Sequence, residues 1–94
     1  MTIQKLFSVR DNKLSSYSRL FPEQAEINAV RAISVAANDK ATQIGQFPED
    51  FDLYQVAEFD DVTGQVTPIE PPKFIIAAMG VLKLQQQIES VVKK

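Results

Sequence analysis

Five prolines, at positions 22, 48, 68, 71 and 72, limit where regular structure can run in this 94-residue chain. Proline has no amide hydrogen and a fixed φ, which confines it to first helical turns, sheet edges and turns. Each proline therefore marks a boundary, and the last pair leaves a proline-free tail from Lys73 to Lys94. A chain of this length has room for one core, since a second would need roughly 50 residues of its own.

Between those boundaries, hydrophobic periodicity assigns the elements. Ile3, Lys5, Phe7 and Val9 alternate with Gln4, Leu6, Ser8 and Arg10, which predicts a first strand closed by the turn formers Asp11-Asn12. Leu14, Tyr17, Leu20 and Phe21 stand at helical spacing that Pro22 cuts short, predicting a short helical or irregular segment. A helix is expected from about Glu23 to Ala37, with Ile27, Val30, Ile33 and Ala37 on one face and Ala29 and Ala36 beside them. Residues 41–50, containing Gly45 and Pro48, read as a loop.

Asp52 to Asp60 is rich in aromatic and β-branched residues and predicts a second strand, with Leu53, Ala57 and Phe59 on one side and Tyr54, Val56 and Glu58 on the other. Asp60-Asp61-Val62-Thr63-Gly64 is a reversal, and residues 65–69 return as a third strand that Pro68 places at a sheet edge. After Pro71-Pro72 the tail reads as one long helix, because Phe74, Ala77, Val81, Leu84, Ile88 and Val91 repeat at alternating steps of three and four. The expected fold is α+β in one domain: a small three-stranded, mostly antiparallel sheet (strand, helix, β-hairpin) over residues 1–72, and a long C-terminal helix over 73–94. A β-α-β connection that makes the first two strands parallel stays open at this point.

Cysteine and histidine are both absent. Disulfides, thiolate or imidazole metal ligation, imidazole acid/base chemistry and thiol nucleophiles are thereby excluded. Glycines occur only at 45, 64 and 80, so no glycine-rich phosphate loop exists. The N-terminal residues carry no apolar run of the secretory kind, and the longest apolar stretch, Phe74 to Met79, is far short of a membrane span. The expectations are a reducing cytoplasm, no membrane association, no cofactor and no enzymatic activity.

The net charge of −2 is unevenly spread: residues 1–40 carry six basic and four acidic side chains, residues 41–70 carry seven acidic and none basic, and residues 71–94 carry four basic and one acidic. Gripping nucleic acid over the whole surface would demand a strongly basic chain, so such contact is confined to the ends of this sequence. Arg10, Lys13 and Arg19, interleaved with Tyr17, form the candidate for single-stranded DNA, with cations tracking phosphates and an aromatic face stacking a base. The alternatives for these residues are a plain solvated face and, for Tyr17, a place in the core.

Glu49, Asp50, Asp52, Asp60 and Asp61 form an acidic stretch read as a docking surface for a basic protein partner. Asp50-x-Asp52 is only a fragment of a cation-binding loop, no E-x-K follows as in nucleases, and Asp60 and Asp61 suit a turn. A hydrolase built on Asp50, Asp52 and Asp60 is the least favoured reading. Val81, Leu84, Ile88 and Val91 form a stripe read as the seam of a homodimer, against the alternative that the helix folds back on its own sheet.

Three ordered pieces carry a family resemblance: Phe7-Ser8-Val9-Arg10-Asp11; Ala29-Val30-Arg31-Ala32; and Pro48-Glu49-Asp50-Phe51-Asp52-Leu53-Tyr54 running to Glu58-Phe59-Asp60 and Thr63-Gly64. This set resembles the small nonstructural protein of gokushovirus-type microviruses (Microviridae), the tailless phages with circular ssDNA genomes, over roughly residues 3–78. The resemblance implies a non-enzymatic accessory protein of the infected bacterial cytoplasm, acting in viral ssDNA synthesis or in the switch from replication to packaging. Its partners would be phage or host replication and packaging proteins, with direct ssDNA binding as the alternative. No catalytic residues come with it. The matching polar positions Arg10, Asp11, Arg31 and Asp50 are equally readable as ion pairs holding strand to loop. The tail LQQQIESVVKK lies outside the resemblance.

Overall fold

A computed structural model of the protein describes residues 3–82. The elements run β1 (Ile3–Asp11), β2 (Ser16–Tyr17), β3 (Phe21–Glu23), α1 (Glu26–Ala37), α2 (Gln43–Gln46), a 3-10 turn (Pro48–Asp50), β4 (Phe51–Asp60) and β5 (Val66–Ala77). A helical segment begins at residue 78 and is described as far as residue 82. All strands form one antiparallel sheet in the order β2-β1-β4-β5, and β3 pairs with β1 on the same side as β2.

The centre of the sheet is the β1–β4 pair, which runs antiparallel from Ile3↔Asp60 to Asp11↔Phe51. That register decides the orientation left open by sequence. Phe51, Leu53, Gln55 and Ala57 of β4 are buried, alternating with half-buried Asp52, Tyr54 and Val56, as expected of a sheet covered on one face. The cover is α1, whose Ala29, Ile33 and Ala37 repeat at four-residue steps and pack on Phe7, Phe51 and Leu53. Ala78 and Val81 complete the same core, with Val9, Phe21, Ile44, Ile75 and Ile76 packed around it.

The structure corrects the expected fold. The sheet has five strands, not three, and residues 73–77 belong to β5, not to a long C-terminal helix. Pro71-Pro72 do not end the strand, because β5 is an edge and four of its residues, 69–72, stand opposite Val56 alone between the pairs Ala57↔Pro68 and Gln55↔Lys73. Pro71 and Pro72, which cannot donate to a ladder, are looped out of it. A second bulge skips Ile75 between Tyr54↔Phe74 and Leu53↔Ile76, so two consecutive isoleucines reach the core. Leu84, Ile88 and Val91 lie outside the described residues.

Where spacing predicts a short helical or irregular segment, residues 14–21 hold β2 and the start of β3 with residues 18–20 irregular between them. Asp11 Oδ1 accepts from the amides of Lys13 and Leu14, and Ser15 takes a left-handed φ of 55°, which turns the chain back into β2. Between β2 and β3, Ser18 continues the ladder: its amide donates to Val9 O at 2.8 Å, and its Oγ accepts from Val9 N at 3.0 Å. The buried Ser8 hydroxyl donates to Ser18 O at 2.8 Å. Pro22 and Glu23 accordingly belong to β3, and α1 starts three residues later than expected, with Ile27 turned outward at 56% exposure.

Candidate nucleic-acid interface

Helices cover one face of the sheet, and among the described residues none covers the other. Residues directly opposite in an antiparallel pair point to the same face. The registers Arg10↔Tyr17, Arg10↔Asp52, Ser8↔Tyr54 and Tyr54↔Phe74 therefore bring Arg10, Tyr17, Asp52, Tyr54 and Phe74 together on the open side.

There the three rings form a row across the strands. Tyr17 and Tyr54 meet edge to face with centroids 5.6 Å apart and planes at 72°. Tyr54 and Phe74 repeat the arrangement at 5.7 Å and 80°. Such edge-to-face contacts follow the ring quadrupoles. Tyr17 is 45% and Phe74 53% exposed, so both outer rings present much of their surface to solvent.

A polar chain closes the Tyr17 end. The Arg10 guanidinium carbon lies 5.8 Å from the centroid of Tyr17, within reach of a cation–π contact, and its Nη1 donates to Asn12 Oδ1. Asn12 Nδ2 in turn donates to Asp52 Oδ2 at 2.9 Å. Asn12 is itself anchored by its amide, which donates to Asp50 O at 2.8 Å. Strand and loop are thus joined through Asn12, where sequence offered a direct arginine–carboxylate pair.

Of the residues singled out for ssDNA, the structure brings Arg10 and Tyr17 into contact and shows Tyr17 outside the core. Lys13 sits in the turn after β1 and Arg19 between β2 and β3, both exposed at the same end of the sheet as Arg10. The acidic residues do not form one patch. Glu49, Asp50 and Asp52 lie around the start of β4, whereas Asp60 and Asp61 lie at and beyond its end, roughly 27 Å away along an extended strand. Asp60 Oδ1 accepts from Val62 N at 2.9 Å, shaping the β4–β5 turn, where Gly64 takes a φ of 77°. No group of three or more acidic side chains among the described residues could hold a metal ion. Val81, from the expected dimer stripe, is 1% exposed in the core.

Sequence reading missed Tyr54, Phe74 and Asn12. Tyr54 had a usable signal, since alternation puts it on the side of β4 opposite Leu53. Phe74 had none, because helical spacing assigned it to another element.

On the covered face an open, mainly apolar cleft of about 520 Å³ lies between the β1–β2 turn and α1–α2, lined by Val9, Leu14, Ala36, Ile44 and Phe51 among others. No helix among the described residues is long and apolar enough to cross a membrane.

A family model described as "Phage ORF5 protein" matches residues 4–81. The chain belongs to the phage ORF5 protein family. The match spans every element from β1 to the helical segment after β5, so both the core and the aromatic face lie within the family domain. No curated protein and no solved structure matches this phage ORF5 family chain.

Proposed function

We propose that this phage protein is a non-enzymatic accessory factor that binds single-stranded DNA on the open face of its sheet, in viral ssDNA synthesis or in the switch from replication to packaging. The observation that carries the reading is the row Tyr17–Tyr54–Phe74 with Arg10 at its end. Exposed aromatic rings on an antiparallel sheet can stack two or three unpaired bases, and stacking tolerates any sequence because every base has a π face. Arg10, Lys13 and Arg19 supply positive charge at one end of the row. The resemblance to gokushovirus nonstructural proteins supplies the ssDNA setting.

Fluorescence anisotropy of a labelled 12-nucleotide dT strand at low salt tests this. The expected result is saturable binding that Tyr17→Ala and Phe74→Ala each weaken while circular dichroism keeps its β signature. A flat titration at high micromolar protein overturns the proposal.

A second reading, docking on a phage or host replication or packaging protein, draws on α1. Ile27 and Val35 are 56% and 73% exposed and flank Arg31 at four-residue steps on its solvent side. If that stripe is the contact, a partner recovered from infected cells with the wild-type chain is lost with Ile27→Asp/Val35→Asp. Retention of the partner removes the stripe from the interface.

A further inference from the structure

The Arg10–Asn12–Asp52 chain has a consequence for which base the open face accepts. A carboxylate is an unfavourable neighbour for a phosphate backbone, yet Asp52 stands on the aromatic face, opposite Arg10 and two residues from Tyr54. Asn12 fixes it there through Oδ2, and the described contacts leave its Oδ1 without a hydrogen-bond partner. Arg10 is likewise held, by Tyr17 and Asn12, and its contacts among the described residues engage only one of its five N–H donors in a hydrogen bond. Oδ1 of Asp52, the second lone pair of its Oδ2 and the donor fork of Arg10 are thus pre-positioned beside rings on which a base would stack.

The base edges differ in what they offer such a pair. Guanine presents two adjacent donors, N1–H and N2–H, with the O6 acceptor beside them. Cytosine and adenine place a ring-nitrogen acceptor next to a single exocyclic amine, and thymine flanks its one N–H with two carbonyls. A fixed carboxylate therefore makes two hydrogen bonds with guanine, at most one with cytosine or adenine, and meets repulsion from the thymine carbonyls. An arginine is at the same time the commonest donor to guanine O6 and N7.

We propose that Asp52, oriented by Asn12, selects guanine among the bases of a single strand lying on the Tyr17–Tyr54–Phe74 row, with Arg10 donating to the O6 side. This inference rests on the ssDNA-binding reading and adds base selectivity to it.

The test uses the full chain and labelled dT 12-mers in which three separated central positions are dG, dI, dA or dC. The expected order is dG tightest, about tenfold or more over dA, dC and all-dT strands. Inosine, which keeps N1–H and O6 but lacks the N2 amine, is expected in between. Asp52→Asn replaces an acceptor by a donor and is expected to collapse the dG/dT affinity ratio to near one. Equal binding of all strands, or a dG/dT ratio that survives in Asp52→Asn, overturns the guanine assignment and leaves the stacking platform standing. Failure of every strand to bind overturns the ssDNA reading itself.

Discussion

Tyr54 and Phe74 stand edge to face across β4 and β5, 5.7 Å between centroids, although heptad spacing assigns Phe74 to a helix. The bulge at residues 69–72 returns β5 to the ladder at Gln55↔Lys73, so Phe74 pairs with Tyr54 on the open face, and the bulge at Ile75 then lets both Ile75 and Ile76 pack on the core. The two bulges thereby serve both sides of the sheet, the first setting the aromatic row and the second filling the core. Several measurable effects depend on this geometry.

The Tyr54–Phe74 pair should show a coupling of about 0.5–1.5 kcal/mol in a double-mutant cycle of Tyr54→Ala and Phe74→Ala, read by urea denaturation. For ssDNA affinity, each single substitution should cost about 1–3 kcal/mol per stacked base lost. Additive stability losses would show that the rings do not support each other in solution.

Salt dependence of ssDNA binding should be shallow. On a dT strand, which offers Arg10 no guanine O6, Arg10, Lys13 and Arg19 allow about three phosphate contacts, giving a slope of log K against log salt of roughly −2, and Arg10→Ala should reduce its magnitude by about 0.7. A slope steeper than about −4 would place the strand on cations other than these.

Gly45→Ala should destabilise the fold by roughly 1–3 kcal/mol, since overpacking against rigid backbone forces the chain to shift. A Cβ at this position would lie 2.0 Å from Asp39 O and 2.6 Å from Asp39 C. The close approach is set by Thr42, whose Oγ1 lies 2.7 Å from Ala36 O and 2.8 Å from Asp39 O and accepts from Gly45 N at 2.9 Å. Because α2 lies on the covered side of the sheet, ssDNA affinity of the folded fraction should not change. Thermal melts and anisotropy on the same preparation separate the two effects.

Ser18→Ala should cost about 1 kcal/mol in urea denaturation, because the Val9 amide loses its side-chain acceptor. The loss should also loosen β2, and with it Tyr17. Hydrogen exchange at Val9 is the direct readout: protection there should fall in the variant, and unchanged protection would show that water replaces the hydroxyl without cost.

Sequence reading identifies β1 and β4 because their alternation is local, with Phe7 and Val9 two positions apart and Leu53 and Ala57 four apart on one side of the strand. The same holds for α1, although its buried face is the narrow line Ala29, Ile33, Ala37, chosen over Ile27 because small residues let the helix settle close to the sheet. At the candidate site, the nearness of Arg10 and Tyr17 in the chain makes their association legible. Asn12 is visible only as a turn former, and Asp52 only as one of several carboxylates.

What the chain alone determines, then, is that it has one core, two amphipathic strands, a central helix, a reversal at Asp60 to Gly64, and no cysteine or histidine chemistry. Tertiary structure decides the rest. Residues 73–77 satisfy a helical pattern as well as a strand pattern, and pairing with β4 selects the strand because it sets Ile76 beside Leu53 and packs Ile75 on the same core. The prolines at 71 and 72 are tolerated because β5 is an edge strand and the bulge carries them off the ladder. The aromatic row draws on three strands separated by up to 57 positions, from Tyr17 to Phe74, and no periodicity within one segment encodes a register between segments.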